Sequence, residues 1–211
     1  MKGSILTVFS ILLMAISCSQ PEEGFTKEEL ALIHGTDSTM RVLTIESEED
    51  LSILRSNSIN LSDKALLSEE YARLCSLMVA TVTHPSQDGV GIAGPQVGLN
   101  RRVVAVQRFD KAGEPFEVYP NISIVWASDS FSAGSEGCLS VPDRSEEVLR
   151  SQEIIIEYTD IREGACEAKV EQKDGARSPL PTIRETVSGF TAVIFQHEID
   201  HLDGILYIDR L

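Results

Sequence analysis

The chain has 211 residues, 42% of them hydrophobic, which is enough to bury the core of one domain. Its formal net charge of −15 disfavours nucleic acid or an anionic membrane surface as a partner, because both would repel it. The four cysteines, Cys18, Cys75, Cys138 and Cys166, are too few and too scattered for a disulfide framework. Composition leaves the oligomeric state open.

The N-terminus has the features of an export signal. Lys2 precedes an apolar run from Ile5 to Ile16, which is too short to span a bilayer comfortably. The run ends in Ala15-Ile16-Ser17-Cys18, which resembles a bacterial lipoprotein processing site in which Cys18 is lipidated. Leucine is usual where Ala15 stands. The alternatives are an uncleaved anchor helix and a translation start at Met40, which would leave the protein in the cytoplasm.

These features predict three parts of the chain. A signal peptide covers 1–17, a tether covers 18–39 and a folded domain covers 40–211. The mature protein would be a membrane-anchored bacterial lipoprotein that faces the periplasm or the outside. Its contact with the membrane would run only through the lipid on Cys18.

The first predicted helix begins at Ser68, which is followed by Glu69 and Glu70. Apolar residues recur behind it at helical spacing: Leu67, Tyr71, Leu74, Leu77 and Met78. Cys75 lies on this helix, where we expect a small buried residue. A disulfide with Cys166 is an alternative in an oxidising compartment.

The second half contains short strands before a helix. The predicted strands are Val103–Val106, Ile122–Trp126 and Ile154–Tyr158, residues 171–183 are a predicted loop, and a helix runs from Thr186 to Leu202 with Gly204 as its stop. This order predicts an α+β fold with short, mostly antiparallel sheets around a central metal-binding helix.

The motif His197-Glu198-Ile199-Asp200-His201 suggests why that helix would bind metal. Two histidines four residues apart project from one helical face, so they can hold one metal ion. Glu198 could act as a base towards a water that the metal acidifies to a pKa near ~7. Such sites usually have a third protein ligand, and Cys138 is the candidate. Surface histidines at this spacing are also common, so the motif alone does not decide.

Two further segments give the motif a context. One is the glycine-rich turn Gly89-Val90-Gly91-Ile92-Ala93-Gly94-Pro95-Gln96, and the other is Glu136-Gly137-Cys138-Leu139-Ser140. With Gln196–His201 they resemble, in order, the three signature motifs of the peptide deformylases. The resemblance extends over about residues 40–211. It implies removal of the formyl group from N-terminal methionyl peptides, and one divalent metal ion, Fe²⁺, with Zn²⁺, Ni²⁺ or Co²⁺ as alternatives.

The resemblance also implies roles for individual residues. Cys138, His197 and His201 would bind the metal, and Glu198 would be the general base. The Gln96 amide and the Leu139 backbone N–H would bind the oxyanion.

The substrate-binding residues expected from the resemblance are Gly91, Ile92, Gly94, Glu136, Gly137 and Arg144. Gly91 would approach the substrate closely or adopt a positive φ. Glu136 could also support the Cys138 loop, and Asp200 could orient a histidine or lie exposed.

Two positions depart from the family pattern. Gly94 replaces the usual alanine, which could loosen the turn. Ser145 stands where a substrate-binding arginine is expected, and Arg144 is one position early, so that a bulge would be needed to restore it. The chain also ends at Leu211, without the basic C-terminal helix of many bacterial deformylases. With the leader, this implies released rather than nascent formyl peptides as substrate.

Two other functions remain open from the sequence. One is an exported amidase or peptidase acting on another N-acyl group. The other is a lipoprotein that binds metal or formyl peptides without turnover, although Glu198 and Gln96 would then have no purpose.

Overall fold

The structure is a computed structural model that describes residues 24–87, 89–161 and 180–211. The helices in these ranges are α1 (Lys27–His34), α2 (Glu48–Leu54), α3 (Asp63–Leu66), α4 (Glu69–Val82) and α5 (Gly189–Leu202), with short 3-10 helices at Gly94–Val97 and Tyr207–Arg210. The strands are β1 (Gly91–Ala93), β2 (Val103–Gln107), β3 (Phe116–Pro120), β4 (Ser123–Ala127), β5 (Phe131–Cys138), β6 (Val141–Ser151), β7 (Glu153–Thr159) and β8 (Thr182–Ser188).

The strands form three small antiparallel sheets. Two have three strands, in the orders β1-β2-β3 and β4-β7-β8, and the third is the hairpin β5-β6. In the hairpin, Gly137 pairs with Ser145 but Cys138 pairs with Val141, so a bulge interrupts the register beside the cysteine. The prediction of an α+β fold with short antiparallel sheets is confirmed.

Helix α5 is the central element. It packs against β1, β2 and β8, and eleven of its fourteen residues are buried. Apolar residues on one side, among them Phe195, Ile199 and Leu202, fill a core with β2, β4 and β7. A helix buried on nearly all sides holds its polar residues in a low-dielectric interior, where they need partners. The histidine motif therefore lies inside the protein and not on a solvated surface.

A glycine with a positive φ marks each end of α5. Gly189 adopts φ +64 at its start, and Gly204, just past its end, adopts φ +70, a conformation that favours glycine over other residues. The predicted stop at Gly204 is confirmed. The predicted start at Thr186 is wrong, because Thr186 and Val187 belong to β8 and pair with Ile155 and Ile154.

Other predicted bounds also shift. Ser68 caps α4 by accepting a hydrogen bond from the Tyr71 N–H at 3.2 Å, which confirms the predicted start. The strands predicted around Val103, Ile124 and Ile156 are confirmed as β2, β4 and β7. The end of the predicted loop 171–183 is strand, because β8 begins at Thr182.

The N-terminal part of the described chain is packed and not a free tether. Thr26 and Glu29 form a capping box at the start of α1, and Ile33 is fully buried in the core around α4. Glu29 also pairs with the buried Arg101 at 2.5 Å. The tether predicted for 18–39 therefore has to end before Lys27.

The remaining predictions on the N-terminus and on Cys166 concern residues outside the described ranges. Cys75 is half-buried on α4 and is a free thiol. Burial raises the pKa of its thiol to about 11, so it is protonated and unreactive at neutral pH. Among the helices that the structure describes, none has the length and apolar character needed to cross a membrane.

Candidate metal centre and active site

The hairpin and α5 bring three metal-ligating groups to one point. Cys138, His197 and His201 each offer one donor atom, and these atoms all lie within 4.8 Å of one another. Cys138 Sγ is 3.2 Å from His201 Nε2. Two imidazoles and one thiol, at this separation and largely buried, suit a divalent ion that accepts nitrogen and sulfur ligands, and they leave a coordination position open. The residues therefore fit the metal that the motif implies.

His197 is oriented by a carboxylate. Its Nδ1 lies 2.8 Å from Glu136 Oε2, which can only accept, so Nδ1 carries the proton and Nε2 is left for the metal. Burial lowers the pKa of His197, but its hydrogen bonds with Cys138 and Glu136 outweigh this effect and raise it to about 10. A metal ion bound at Nε2 would replace the second proton, on that nitrogen, and leave the Nδ1 proton donating to Glu136.

His201 lies in a different environment. It is almost fully buried, and its Nδ1 has no hydrogen-bond partner among the described residues. Burial holds the pKa of this imidazole well below its ordinary value, because the charged form would lose its hydration. His201 is therefore neutral, as a metal ligand must be.

A buried chain of charges supports His197. Arg150 donates to both oxygens of Glu136, at 2.7 and 2.9 Å, and to Asp200 Oδ2 at 2.6 Å. Arg210 reaches the same Asp200 from the C-terminal 3-10 helix. Burial raises the pKa of Glu136, but its bonds with Arg150 and His197 lower it overall to about 2, so Glu136 stays ionised. This carboxylate supports the metal ligand His197, whereas the sequence predicted support of the Cys138 loop.

The network also shows the role of Asp200. Its carboxylate contacts Arg150 and Arg210 and does not touch a histidine itself. It therefore steadies His197 only indirectly, through Arg150 and Glu136. Arg150 was not singled out in the sequence. It is 3% exposed, and its partner Glu136 lies fourteen residues away on the paired strand, a contact that no local pattern reveals.

Glu198 is buried next to the metal ligands. Its Oε2 has no hydrogen-bond partner within the part of the chain described, although it lines the cavity beside His197. Desolvation raises the pKa of this carboxyl to about 7, because the charged form is poorly hydrated there. A carboxyl with a pKa near neutrality can both accept and return a proton.

Gly91 lies directly against this carboxylate. A Cβ at Gly91 would come 2.5 Å from Glu198 Oε1 and 2.9 Å from its Cδ. The residue is in β1 and has no positive φ. Gly91 therefore lies close to the Glu198 side chain, its close approach to the substrate stays a prediction, and the alternative of a positive φ is wrong.

Gln96 is held with its amide group pointing at the site. Its Oε1 accepts from the Ala93 N–H at 2.8 Å, and its Nε2 lies 3.2 Å from Ser140 Oγ and 3.5 Å from Cys138 Sγ. The amide nitrogen thus faces the metal centre. Leu139 follows Cys138 at the turn of the hairpin and lines the same cavity.

Gly94 does not loosen its turn. The Leu99 and Arg101 carbonyl oxygens stand 2.7 and 2.6 Å from where a Cβ would lie, so the chain closes tightly on the glycine. The Leu99 N–H also donates to the Gly94 carbonyl at 2.9 Å. An alanine could not be accommodated here without a backbone shift.

The cavity in front of the metal centre has a volume of 360 Å³. Its apolar wall comes from Val90, Leu139, Phe190, Val193 and Ile194. Gly91, Glu136 and Gly137, for which substrate binding stays a prediction, also line this cavity. Phe190, Val193 and Ile194, from the first two turns of α5, were not predicted to line a cavity. The predicted helix from Thr186 included them, but nothing in its pattern indicates which residues face a cavity.

Three of the expected substrate-binding residues lie elsewhere. Ile92 is fully buried in the core beside α4, and Gly94 is buried against the Leu99 and Arg101 carbonyl oxygens. Arg144 lies outside the cavity and pairs with Glu146 at 3.0 Å, even though the hairpin has the bulge that could have restored it. Ser145 Oγ instead bonds Ser135 Oγ at 2.7 Å across the hairpin.

A buried carboxyl beside a Cys-His-His donor set is the arrangement of a metal-dependent hydrolase. The comparisons with known proteins narrow this class. The polypeptide deformylase family model matches residues 40–211. The chain belongs to this family.

Individual relatives that resemble this chain are also named peptide deformylases. The peptide deformylase of Methylocella silvestris is 36% identical over 127 residues, which are 58% of this chain and 56% of that protein, little more than half its length. Peptide deformylase 2 of Vibrio cholerae serotype O1 is 36% identical over 172 residues, covering 82% of this chain and 88% of that protein. The Met-Ala-Ser-bound crystal structure of class I type b peptide deformylase from Acinetobacter baumannii has 30% identity and a TM-score of 0.67, covering 83% of this chain and all of that one.

Proposed function

We propose that the protein hydrolyses the amide bond between a formyl group and the N-terminal methionine of a peptide, releasing formate. The observation that carries this proposal is the meeting of three side chains at one point. The donor atoms of Cys138, His197 and His201 lie within 4.8 Å of one another, with Glu198 buried in the same cavity. A non-catalytic metal-binding role would not explain a base buried at that position.

The metal would be held by Cys138, His197 and His201. When bound, it would acidify a water molecule and polarise the formyl carbonyl. We propose Fe²⁺ on the basis of the family resemblance, and Zn²⁺, Ni²⁺ and Co²⁺ suit the same ligands. The bond between Glu136 and His197 keeps the imidazole in the orientation that binding needs.

Glu198 would act as the general base. It takes a proton from the attacking water and gives it to the nitrogen of the departing amine. Its raised pKa, about 7, lets it carry out both transfers near neutral pH. Gly91 leaves room for the Glu198 carboxylate beside β1, because any side chain at position 91 would displace that carboxylate.

The Gln96 amide and the Leu139 backbone N–H would donate to the oxygen that becomes negative during attack. One donor of this kind is typically worth about 3 kcal/mol of transition-state stabilisation. Gln96 cannot turn away readily, because the Ala93 N–H fixes its carbonyl oxygen.

The apolar cavity would take the methionine side chain. Val90, Phe190, Val193 and Ile194 supply surface that an unbranched thioether can contact. The Acinetobacter baumannii deformylase was crystallised with Met-Ala-Ser bound, a peptide with methionine at its first position. A site that leaves space only for hydrogen on the acyl carbon would exclude the acetyl group.

We also propose that the enzyme is exported and anchored by a lipid on Cys18. The order of Lys2, the apolar run from Ile5 to Ile16 and Cys18 supports this proposal. The substrates would then be formyl peptides that have been released from the ribosome. No nucleic acid is proposed as a partner, given the net charge of −15.

Hydrolysis of formyl-Met-Ala-Ser and of acetyl-Met-Ala-Ser tests the reaction. The protein starting at Ser19 would be loaded anaerobically with Fe²⁺ or with Ni²⁺. We expect release of formate and at least a ~100-fold preference for the formyl peptide. Equal rates on the two peptides would contradict the deformylase activity and support a general N-acyl amidase.

A further inference from the structure

Tyr207 lies beside the metal ligands, and the proposed reaction gives it no role. It is the first residue of the C-terminal 3-10 helix and is 1% exposed. The segment that carries it is tied down at two points, because Asp209 accepts from the Leu206 N–H at 2.8 Å and pairs with Arg55 at the end of α2. A side chain that is fixed in this way can hold its neighbours in position.

The ring of Tyr207 lies against the face of His197. The two ring centroids are 6.0 Å apart and the ring planes differ by 22°, which is within the range of stacked aromatic side chains. Glu136 holds the same imidazole at its edge, through Nδ1. A hydrogen bond to one ring nitrogen fixes the position of that atom but leaves the plane of the ring free to tilt. Contact with the face of the ring limits the tilt, so Tyr207 and Glu136 together fix the direction in which Nε2 points.

The hydroxyl of Tyr207 reaches the bulge of the β5-β6 hairpin. It donates to the Arg144 carbonyl oxygen at 2.9 Å. Residues 142–144 of β6 form the bulge beside Cys138, because no residue of β5 is opposite them in the register. Within the bulge, Asp143 adopts φ +55, which costs free energy in a residue other than glycine. Such a conformation persists only where surrounding contacts hold it, and the Tyr207 hydroxyl supplies one of them.

The body of the Tyr207 side chain also packs beside Cys138. Tyr207 and Val141, the residue opposite Cys138 in the hairpin, belong to one buried apolar cluster, and Cys138 packs against this cluster. One aromatic side chain from the C-terminus therefore contacts the surroundings of two metal ligands that come from two other elements, His197 from α5 and Cys138 from the hairpin.

We propose that Tyr207 is a positioning residue of the metal centre. Its ring sets the orientation of His197, and its hydroxyl holds the bulge that sets the position of Cys138. Tyr207 does not line the cavity in front of the metal centre, so it acts through the two ligands and not on the substrate. This inference rests on the proposed function and specifies how its metal site is held.

Tyr207→Phe and Tyr207→Leu separate the two contacts. Phenylalanine keeps the ring and removes the hydroxyl, whereas leucine removes both. Tyr71→Phe is the matched control, because Tyr71 is buried in the core around α4 and its hydroxyl has no hydrogen-bond partner in the described ranges. Melting temperatures of the metal-free proteins verify that the three variants fold.

Co²⁺ is the probe, because it suits nitrogen and sulfur ligands and its absorption spectrum reports their arrangement. In anaerobic competition with a chelator, we expect Tyr207→Phe to bind Co²⁺ ~10-fold more weakly than the wild type and Tyr207→Leu ~100-fold more weakly. The charge-transfer band between the Cys138 thiolate and Co²⁺ should shift in Tyr207→Phe, because the bulge that places the thiolate is released. Tyr71→Phe should match the wild type in both measurements.

Hydrolysis of formyl-Met-Ala-Ser gives a further readout. At full Co²⁺ occupancy, kcat of Tyr207→Phe should fall about tenfold while KM stays within about threefold of the wild type, because the metal ligands and not the cavity have been disturbed. A lower melting temperature with unchanged Co²⁺ affinity, charge-transfer band and kcat would show a purely structural role and overturn the inference.

The metal measurements need no peptide, so they separate this inference from the proposed reaction. If the wild type releases formate and both Tyr207 variants keep its Co²⁺ affinity and spectrum, the positioning role is wrong and the deformylase activity stands. If no formylated peptide is cleaved but Co²⁺ binding weakens in the order Tyr207→Phe, Tyr207→Leu, the positioning role is supported and the deformylase activity is contradicted. A wild-type protein that binds no Co²⁺ contradicts both.

Discussion

Gly91 allows the position of the general base to be disturbed without changing the base itself. In Gly91→Ala the new Cβ would start 2.5 Å from Glu198 Oε1 and 2.8 Å from Glu198 Cγ. An ordinary contact begins at 3.4 Å, so the carboxylate has to move by about 0.9 Å, the difference between 3.4 and 2.5 Å. Glu198 is 4% exposed, so the surrounding core limits where it can move.

A misplacement of about 1 Å at a catalytic group can lower the rate ~100-fold, which is about 2.7 kcal/mol of activation free energy. We therefore expect kcat of Gly91→Ala on formyl-Met-Ala-Ser to fall about 100-fold, with its metal content unchanged. The three atoms nearest to the new methyl group all belong to Glu198, and none belongs to a metal ligand.

The assay is single-turnover formate release, with metal stoichiometry measured on the same sample. Gly24→Ala is the matched control, because a Cβ at Gly24 meets no atom within 4 Å. If Gly91→Ala kept kcat within about threefold of the wild type at full metal occupancy, the placement of Glu198 by Gly91 would be refuted.

Four further predictions concern the buried network, the metal and the leader. Arg150→Met should lower the free energy of unfolding by about 3–5 kcal/mol in urea titrations, because Glu136 and Asp200 lose a buried partner; a loss below about 1 kcal/mol would contradict this. Glu136→Gln should weaken metal binding ~10–100-fold in competition with a chelator, because His197 loses its carboxylate acceptor, and unchanged affinity would argue against that role. Metal-loaded protein should melt at a higher temperature than metal-free protein, and this difference should grow with the metal concentration. A melting curve insensitive to metal would exclude specific binding to the native state. Full-length protein should incorporate labelled palmitate in bacteria and Cys18→Ser should not; equal labelling of both would rule out lipidation at that residue.

The sequence identified the parts of the site that lie close together along the chain. His197, Glu198 and His201 lie within five consecutive residues of α5, and Gln96 and Cys138 lie within short motifs of their own. Their types and spacing were enough to predict the metal ligands and the base. The structure then brought them together as the motifs implied.

Contacts between distant segments could not be predicted in this way. Arg150 is a charged residue in a strand that was not predicted, and its burial depends on Glu136 and Asp200 arriving from two other elements. The hairpin of β5 and β6 itself was missed because most residues of β5 and of the first half of β6 are exposed on both faces, so the apolar alternation that marks a half-buried strand is weak.

Residues near predicted boundaries were misassigned for a related reason. Thr186 and Val187 fit a helix by their spacing to later apolar residues, but Gly189 with its positive φ separates them from α5. Helix α1 was missed because its short apolar stripe follows a polar stretch typical of a tether, and only its packing on α4 makes it stable.

The most direct test of the account compares the wild-type protein with Glu198→Gln, both loaded anaerobically with Ni²⁺. Metal stoichiometry and hydrolysis of formyl-Met-Ala-Ser would be measured on the same samples. We expect one metal ion per chain in both proteins and a loss of at least ~100-fold in kcat in Glu198→Gln, because only the proton acceptor is removed. A metal-loaded Glu198→Gln variant that kept the wild-type rate would show that Glu198 is not the base and would contradict the proposed mechanism.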